Sequence, residues 1–227
     1  MLFRSFAGYI NSCVLDMSRS SVKASFLKRY TDLPATLTVL RNREITLLSP
    51  MAWDDANDRG TLAHYAERSE LTTLLGICFS QAKETYHHWK VFAPGSAGVC
   101  IYYFKEKLLN AIPKDNFTHR VVDYKSPTEL LGSYALLADM PFTKGEAYRD
   151  EIEYRIIYSS TVEEVRCKTI PIDLGVIRSI FLSPWMAPAL FEATRALILG
   201  IDGCADIPII QSPVVSNQAW LQYVKNT

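Results

Sequence analysis

Residues 76–104, GICFSQAKETYHHWKVFAPGSAGVCIYYF, constrain the fold of this chain more than any other stretch. Residues 76–79 and 99–104 are β-branched and aromatic runs of strand length, apolar on both faces. Strands of that kind must be covered on each side, so both are expected at the centre of a sheet rather than on its edge. Between them, residues 84–92 read as a short helix that gathers Glu84, His87, His88 and Trp89, followed by a glycine turn. A polar and aromatic knot held between two buried strands is where a pocket wall is expected.

Upstream, residues 25–31 form a predicted first strand, with Phe26, Lys28 and Tyr30 on one face and Leu27 and Arg29 on the other. Pro34 suits the first turn of a short helix whose buried stripe is Leu37 and Leu40, and residues 44–48 alternate into a second strand. Residues 51–58, MAWDDAND, read as a loop feeding a helix over 58–68, with Asn57 as its cap. Downstream come a helix over 105–111, a strand over 120–124, and a helix opened by the capping box Ser126-Pro127-Thr128-Glu129 that runs to about residue 138.

Residues 144–159 turn from charged to strand-like, with Ile152, Tyr154 and Ile156 facing one way and Glu151, Glu153 and Arg155 the other. Strands over 168–172, 177–182 and 207–211 are interspersed with helices over 188–200 and 216–224. The order is irregular, which favours an α+β fold over a doubly wound sheet. The expectation is an arm at 1–24, then a single α+β domain over 25–227 with a mixed, mostly antiparallel central sheet flanked by short helices.

A hydrophobic content of 48% is ample for one core. The 24 basic residues balance 24 acidic ones, so no global field selects nucleic acid or an anionic membrane, although a local basic patch stays open. Five cysteines (Cys13, Cys78, Cys100, Cys167, Cys204) never fall in CxxC spacing, and Cys78 and Cys100 are expected as buried, reduced thiols. No run reaches the roughly 18 apolar residues of a membrane span. Residues 1–16 lack an uninterrupted secretory core, so a cytoplasmic protein with no membrane partner is expected.

Three clusters carry candidate chemistry. Glu84, His87 and His88 stand at i, i+3 and i+4, within reach of one locus. A Glu-x-x-His unit is half of a di-iron site, but no second copy exists, so hydrogen-bonded structural histidines are the expectation and no metal is expected. Trp89 either packs or stacks on a ligand. Asp54, Asp55 and Asp58 either gather a divalent cation or simply form a capped turn. Glu151 and Glu153, two apart on an expected strand, point the same way with Arg155 behind them. They are either a solvated charge ladder on an edge strand or a working pair, in which one carboxylate orients a sugar hydroxyl and the other serves a reacting group.

The segments FLKRY (26–30), LLSPMAWDDAND (47–58), CFS (78–80), HHW (87–89), GVCIYYF (98–104) and EIEYR (151–155) resemble, in that order, the bacterial domain-of-unknown-function family 2971. Two places depart from that family. Its Asn-Asp-Pro-Phe-Glu segment is Asp54-Asp55-Ala56-Asn57-Asp58 here, and its tryptophan before the acidic pair is matched by Tyr148. The family implies no established activity.

The order of pieces is also similar to the arginine–serine–glutamate plan of mono-ADP-ribosyltransferases. That likeness implies NAD as substrate, with Arg29 on the pyrophosphate and Ser80 bracing the second glutamate. Glu153 would bond the ribose 2′-hydroxyl and stabilise the oxocarbenium ion, and Glu151 would guide the acceptor nucleophile. Tyr30, His87, His88 and Trp89 complete the candidate cofactor wall. An enzyme of that kind would modify a protein or nucleic-acid acceptor, as a toxin or phage-defence effector does. The alternatives are a metal-dependent nuclease or phosphoesterase using Asp54, Asp55, Glu151 and Glu153, or a non-catalytic sensor or interaction module.

Overall fold

The computed structural model describes residues 25–131, 136–216 and 218–225, so the expected arm at 1–24 lies outside the described residues. In chain order the elements are β1 (Phe26–Asp32), α1 (Leu33–Asn42), β2 (Glu44–Leu48), α2 (Ala56–Arg68), β3 (Thr73–Ser80), α3 (Tyr86–Phe92), β4 (Gly98–Phe104), α4 (Lys105–Asn110) and β5 (Phe117–Val121). They continue with β6 (Asp123–Lys125), α5 (Pro127–Leu131), β7 (Thr143–Gly145), β8 (Glu153–Ser160), β9 (Cys167–Pro171), β10 (Ile177–Leu182), α6 (Pro188–Leu199), β11 (Ile209–Gln211) and α7 (Gln218–Lys225). The fold is α+β. Its large sheet is antiparallel except where β10 meets β11, and β6 and β7 form a small parallel ribbon apart from it.

The two apolar runs are internal strands, as their composition requires. β4 lies between β1 and β10, and β3 pairs with β8 along its whole length. The glycine turn between α3 and β4 is sterically obligatory at Gly98, where a Cβ would stand 2.1 Å from the carbonyl oxygen of Ala93. One face of the sheet carries Leu27, Leu75, Ile77, Phe79, Ile101, Tyr103, Tyr154 and Ile156, covered by Leu40 of α1, Leu108 of α4 and Ile198 of α6. The other face carries Tyr30, Cys100 and Tyr102 beneath Trp89 of α3.

The sheet forks at β3. One edge of that strand is filled by β8, while the other is shared: β1 joins it only at Lys28–Ser80 and β2 only at Leu48–Gly76. The backbone between those two bridges has no strand beside it. Arg29 answers for part of this gap, its Nη1 donating to the Cys78 carbonyl at 3.0 Å in place of a ladder bond. A cleft opens at the fork.

Several local expectations need correction. Asp55, not Asn57, caps α2; its Oδ1 accepts from the Asn57 backbone N–H at 2.9 Å, because the helix starts two residues earlier than 58. α3 starts at Tyr86 under a Thr85 cap, which leaves Glu84 outside the helix. The strand expected over 120–124 is divided between β5 and β6. Glu151 ends a 3-10 turn, and Ile152 then adopts a left-handed conformation (φ 42°) with its side chain 44% exposed. The alternation therefore begins only at Glu153, and Glu151 reaches its neighbour from a turn rather than along a strand. The capping box of α5 forms as expected, with Ser126 and Glu129 exchanging bonds at 2.7 and 3.2 Å. Cys78 and Cys100 are both free thiols, but only Cys100 is buried; Cys78 faces the cleft and is half-buried.

Candidate active site

The cleft at the fork encloses about 380 Å³. β1 supplies Lys28, Arg29 and Tyr30, β3 supplies Cys78, Phe79 and Ser80, and β8 supplies Glu153. Trp53, Asp54, Asp55 and Asp58 close one side, Val91 and Phe92 of α3 another, and Lys144, Tyr148 and Glu151 a third. The structure thus brings together Arg29, Tyr30, Ser80, Glu151 and Glu153, with the aspartate loop beside them.

Its floor is a chain of charges. Arg155 is fully buried and spends all five guanidinium N–H groups. Nε donates to Glu153 Oε1 at 2.6 Å and Nη2 to Glu153 Oε2 at 3.1 Å. The same terminal nitrogens grip both oxygens of Asp58, at 2.9 and 2.5 Å, and Nη1 also reaches the Pro141 carbonyl at 3.0 Å. Trp53 covers the guanidinium, 5.0 Å from ring centre to Cζ. Lys144 then joins the two glutamates, donating to Glu151 at 2.7 Å and to Glu153 at 3.2 Å. A ladder of solvated charges on an edge strand is excluded: β8 runs between β3 and β5, and Glu153 is 4% exposed.

This arrangement divides the roles of the two glutamates. Burial would raise the Glu153 carboxyl, but the Arg155 guanidinium and then Lys144 more than offset it and hold it well below the usual carboxylate range. Glu153 is a fixed anion. For Glu151 burial wins, and its carboxyl is raised despite the Lys144 hydrogen bond. Lys144 is itself raised: burial opposes its charge, and the two carboxylates more than restore it.

Ser80 and Glu153 are direct cross-strand neighbours, but Ser80 does not brace the carboxylate. Its Oγ donates to the Glu151 backbone carbonyl at 2.7 Å and accepts from the Ala82 N–H at 3.1 Å, so it fixes the turn that delivers Glu153. Alternation sends the Arg29 side chain to the opposite face of β1 from Lys28 and Tyr30, and its guanidinium lies in the fork against Cys78.

The histidine helix departs from expectation. His87 is exposed, and neither it nor His88 nor Trp89 lines the cleft; α3 reaches it through Val91 and Phe92. Trp89 is wholly buried, edge-on to Tyr30 at 5.5 Å, with Nε1 donating to Glu84 at 2.6 Å. It packs because its face of α3 lies on β1 and β4. His88 is buried between Tyr30 and Phe92, and neither ring nitrogen meets a partner at hydrogen-bond geometry. Burial lowers the His88 imidazole below its ordinary range while the backbone of Asp150 and of Lys83 works against that, and Glu84, outside the helix, bonds Trp89 and Ser212.

No family model matches the chain, and no curated protein does. Among solved structures it is similar to DarT of Thermus sp. 2.9. With DarT in complex with ADP-ribosylated ssDNA the TM-score is 0.46 at 11% identity, over 86% of this chain and 98% of that one. With the NAD+ complex the values are 0.45 and 8%, and with the carba-NAD+ complex 0.43 and 10%, each over 84% of this chain and 96% of that one.

Sequence reasoning missed three participants. Asp58, a cation ligand or turn residue by its spacing, is instead the second carboxylate on Arg155. Lys144 stands in a charged segment with no motif around it. Lys28 was legible only as a neighbour of Tyr30 on one strand face.

Proposed function

We propose that the cleft binds NAD and transfers its ADP-ribosyl group to a protein or nucleic-acid acceptor. The observation that carries this reading is the row Lys28, Ser80, Glu153, which stands in register across β1, β3 and β8 and crosses the cleft. It sets a cation and a permanent anion two strand spacings apart, about 10 Å. NAD has the complementary polarity: an anionic pyrophosphate, then a ribose whose C1′ bears a cationic pyridinium. Tyr30, Trp53, Phe92 and Tyr148 offer aromatic surface along the walls.

In the reaction the bond from C1′ to the pyridinium nitrogen breaks, and its electron pair leaves with neutral nicotinamide. The oxocarbenium ion that develops at C1′ lies against the Glu153 carboxylate, held in place by Arg155 and therefore preorganised rather than recruited. The acceptor then attacks C1′ and gives its proton to Glu151, whose raised affinity for protons suits a general base. Such chemistry fits a toxin or phage-defence effector.

The metal-dependent phosphoesterase reading is less well supported by the donor set. Glu153 and Asp58 share Arg155, and Glu151 and Glu153 share Lys144, so protein cations already stand where a metal would be held. The test is nicotinamide release from NAD, with and without a lysate as acceptor source, in the presence of chelator. Release by wild type and none by Glu153→Gln supports the transferase; release of phosphate that chelator abolishes supports the alternative.

A further inference from the structure

We propose that Lys28, rather than the neighbouring Arg29, is the residue that binds the phosphate of the cleft's ligand; this rests on the dinucleotide reading above. The two residues carry equal charge and both border the cleft, but the fold uses them differently. Arg29 points to the other face of β1 and donates from Nη1 to the Cys78 carbonyl at 3.0 Å, in the fork. Withdrawing it would leave that carbonyl without a ladder partner. Its task is to hold the fork open.

Lys28 faces the cleft, in one row with Ser80 and Glu153. Its ammonium donates to the Ala82 carbonyl and sits 5.3 Å from the Tyr102 ring centre, so a flexible side chain is fixed by one of its three N–H groups. The cleft's other cations are committed: Arg155 to Asp58 and Glu153, Lys144 to Glu151 and Glu153. Burial pulls the Lys28 ammonium below its ordinary range; Glu84 stands near enough to oppose that, but its carboxylate is engaged by Trp89 and Ser212 and forms no ion pair with it. Lys28 is thus a partly buried cation without a counter-ion among the described residues, at the opposite wall from the glutamates. An anionic group on the ligand supplies what is missing there. A compact ammonium binds phosphate as a point charge, without needing the bidentate fork of a guanidinium.

Calorimetric titration of wild type, Lys28→Met, Lys28→Arg and Arg29→Met tests this with two probes, NAD and nicotinamide riboside, which lacks phosphate. Lys28→Met is expected to weaken NAD by about tenfold or more, the scale of one charge-assisted contact, and to leave the riboside within about twofold. Lys28→Arg should recover most of the loss, and Arg29→Met should weaken both probes alike by loosening the fork. An unchanged NAD affinity in Lys28→Met, or an equal loss for both probes, overturns the assignment. If wild type binds no NAD, the transferase reading falls and inorganic pyrophosphate becomes the probe. Lys28-dependent binding of it sustains the anion site, and its absence removes the site as well.

Discussion

Arg155 and Asp58, 97 positions apart in sequence, face each other through two parallel hydrogen bonds of 2.9 and 2.5 Å, with neither side chain more than 2% exposed. This pair ties α2 to β8 under the cleft and leaves Nε of Arg155 directed at Glu153. A buried ion pair is weak evidence of net stabilisation, because desolvation consumes most of the attraction, but removing one partner strands the other. Asp58→Asn and Arg155→Met are each expected to cost about 3–5 kcal/mol in urea unfolding. The double replacement Asp58→Asn/Arg155→Met should cost less than the sum of the two. Strict additivity in that cycle would contradict the coupling.

Acid stability should carry the mark of Glu153. Its carboxyl is pulled down to about 2 in the fold from an ordinary 4.5, so over that interval the unfolded chain binds the proton that the native state refuses. Its contribution is therefore fully present above the unfolded value and lost as pH falls toward 2. Asp58 and Glu151 are shifted upward by burial and work in the opposite sense, taking protons in the native state first. The difference between wild type and Glu153→Gln isolates the first effect. Urea midpoints from pH 5 to pH 2 should fall more steeply for wild type; parallel curves would contradict the ion-paired state.

The cap of α2 offers a local test. Asp55→Ala should cost about 0.5–2 kcal/mol, the usual loss for an N-cap, while Asn57→Ala, one residue into the helix, should stay within about 0.5 kcal/mol. Thermal unfolding of the two variants decides it, and the reverse order would place the cap at Asn57.

Gly76 tests the wall that covers Arg155. A Cβ there would stand 3.1 Å from Ile157 Cδ1 and 3.2 Å from Trp53 Cζ2. Gly76→Ala is expected to displace the indole and to destabilise by about 1–3 kcal/mol through overpacking. Tryptophan fluorescence reads the displacement; an unchanged spectrum and stability would mean that the wall yields without cost.

What the sequence made legible was whatever depends on near neighbours. The two apolar runs became internal strands because a strand with no polar face has only one place in a sheet. Asp55 was missed because either Asp55 or Asn57 could begin the helix, and only the backbone chooses between them. The alternation through Glu151 failed at Ile152, where one left-handed residue resets the phase. The grouping of Arg29, Ser80 and Glu153 around one cleft was anticipated from motif order. The partners that set the charge of Glu153 were not, since Lys144 comes from a ribbon outside the main sheet and spacing alone leaves Arg155 open between a solvated ladder and a working site. Trp89, His87 and His88 form a conspicuous motif, yet a helical face chooses between core and cleft by its rotation, which spacing alone does not fix.

The central claim is that Glu153 is a charged residue held ready for a developing cation. The most direct measurement is the rate of nicotinamide release from NAD by wild type and by Glu153→Gln, at equal folded fraction checked by circular dichroism. The glutamine keeps the shape and loses the charge. Release by wild type, reduced by a factor of about 10² or more in the variant, is the predicted result, the scale of a lost electrostatic contact to the transition state. Equal rates in the two proteins, or no release by wild type with or without lysate, would contradict it.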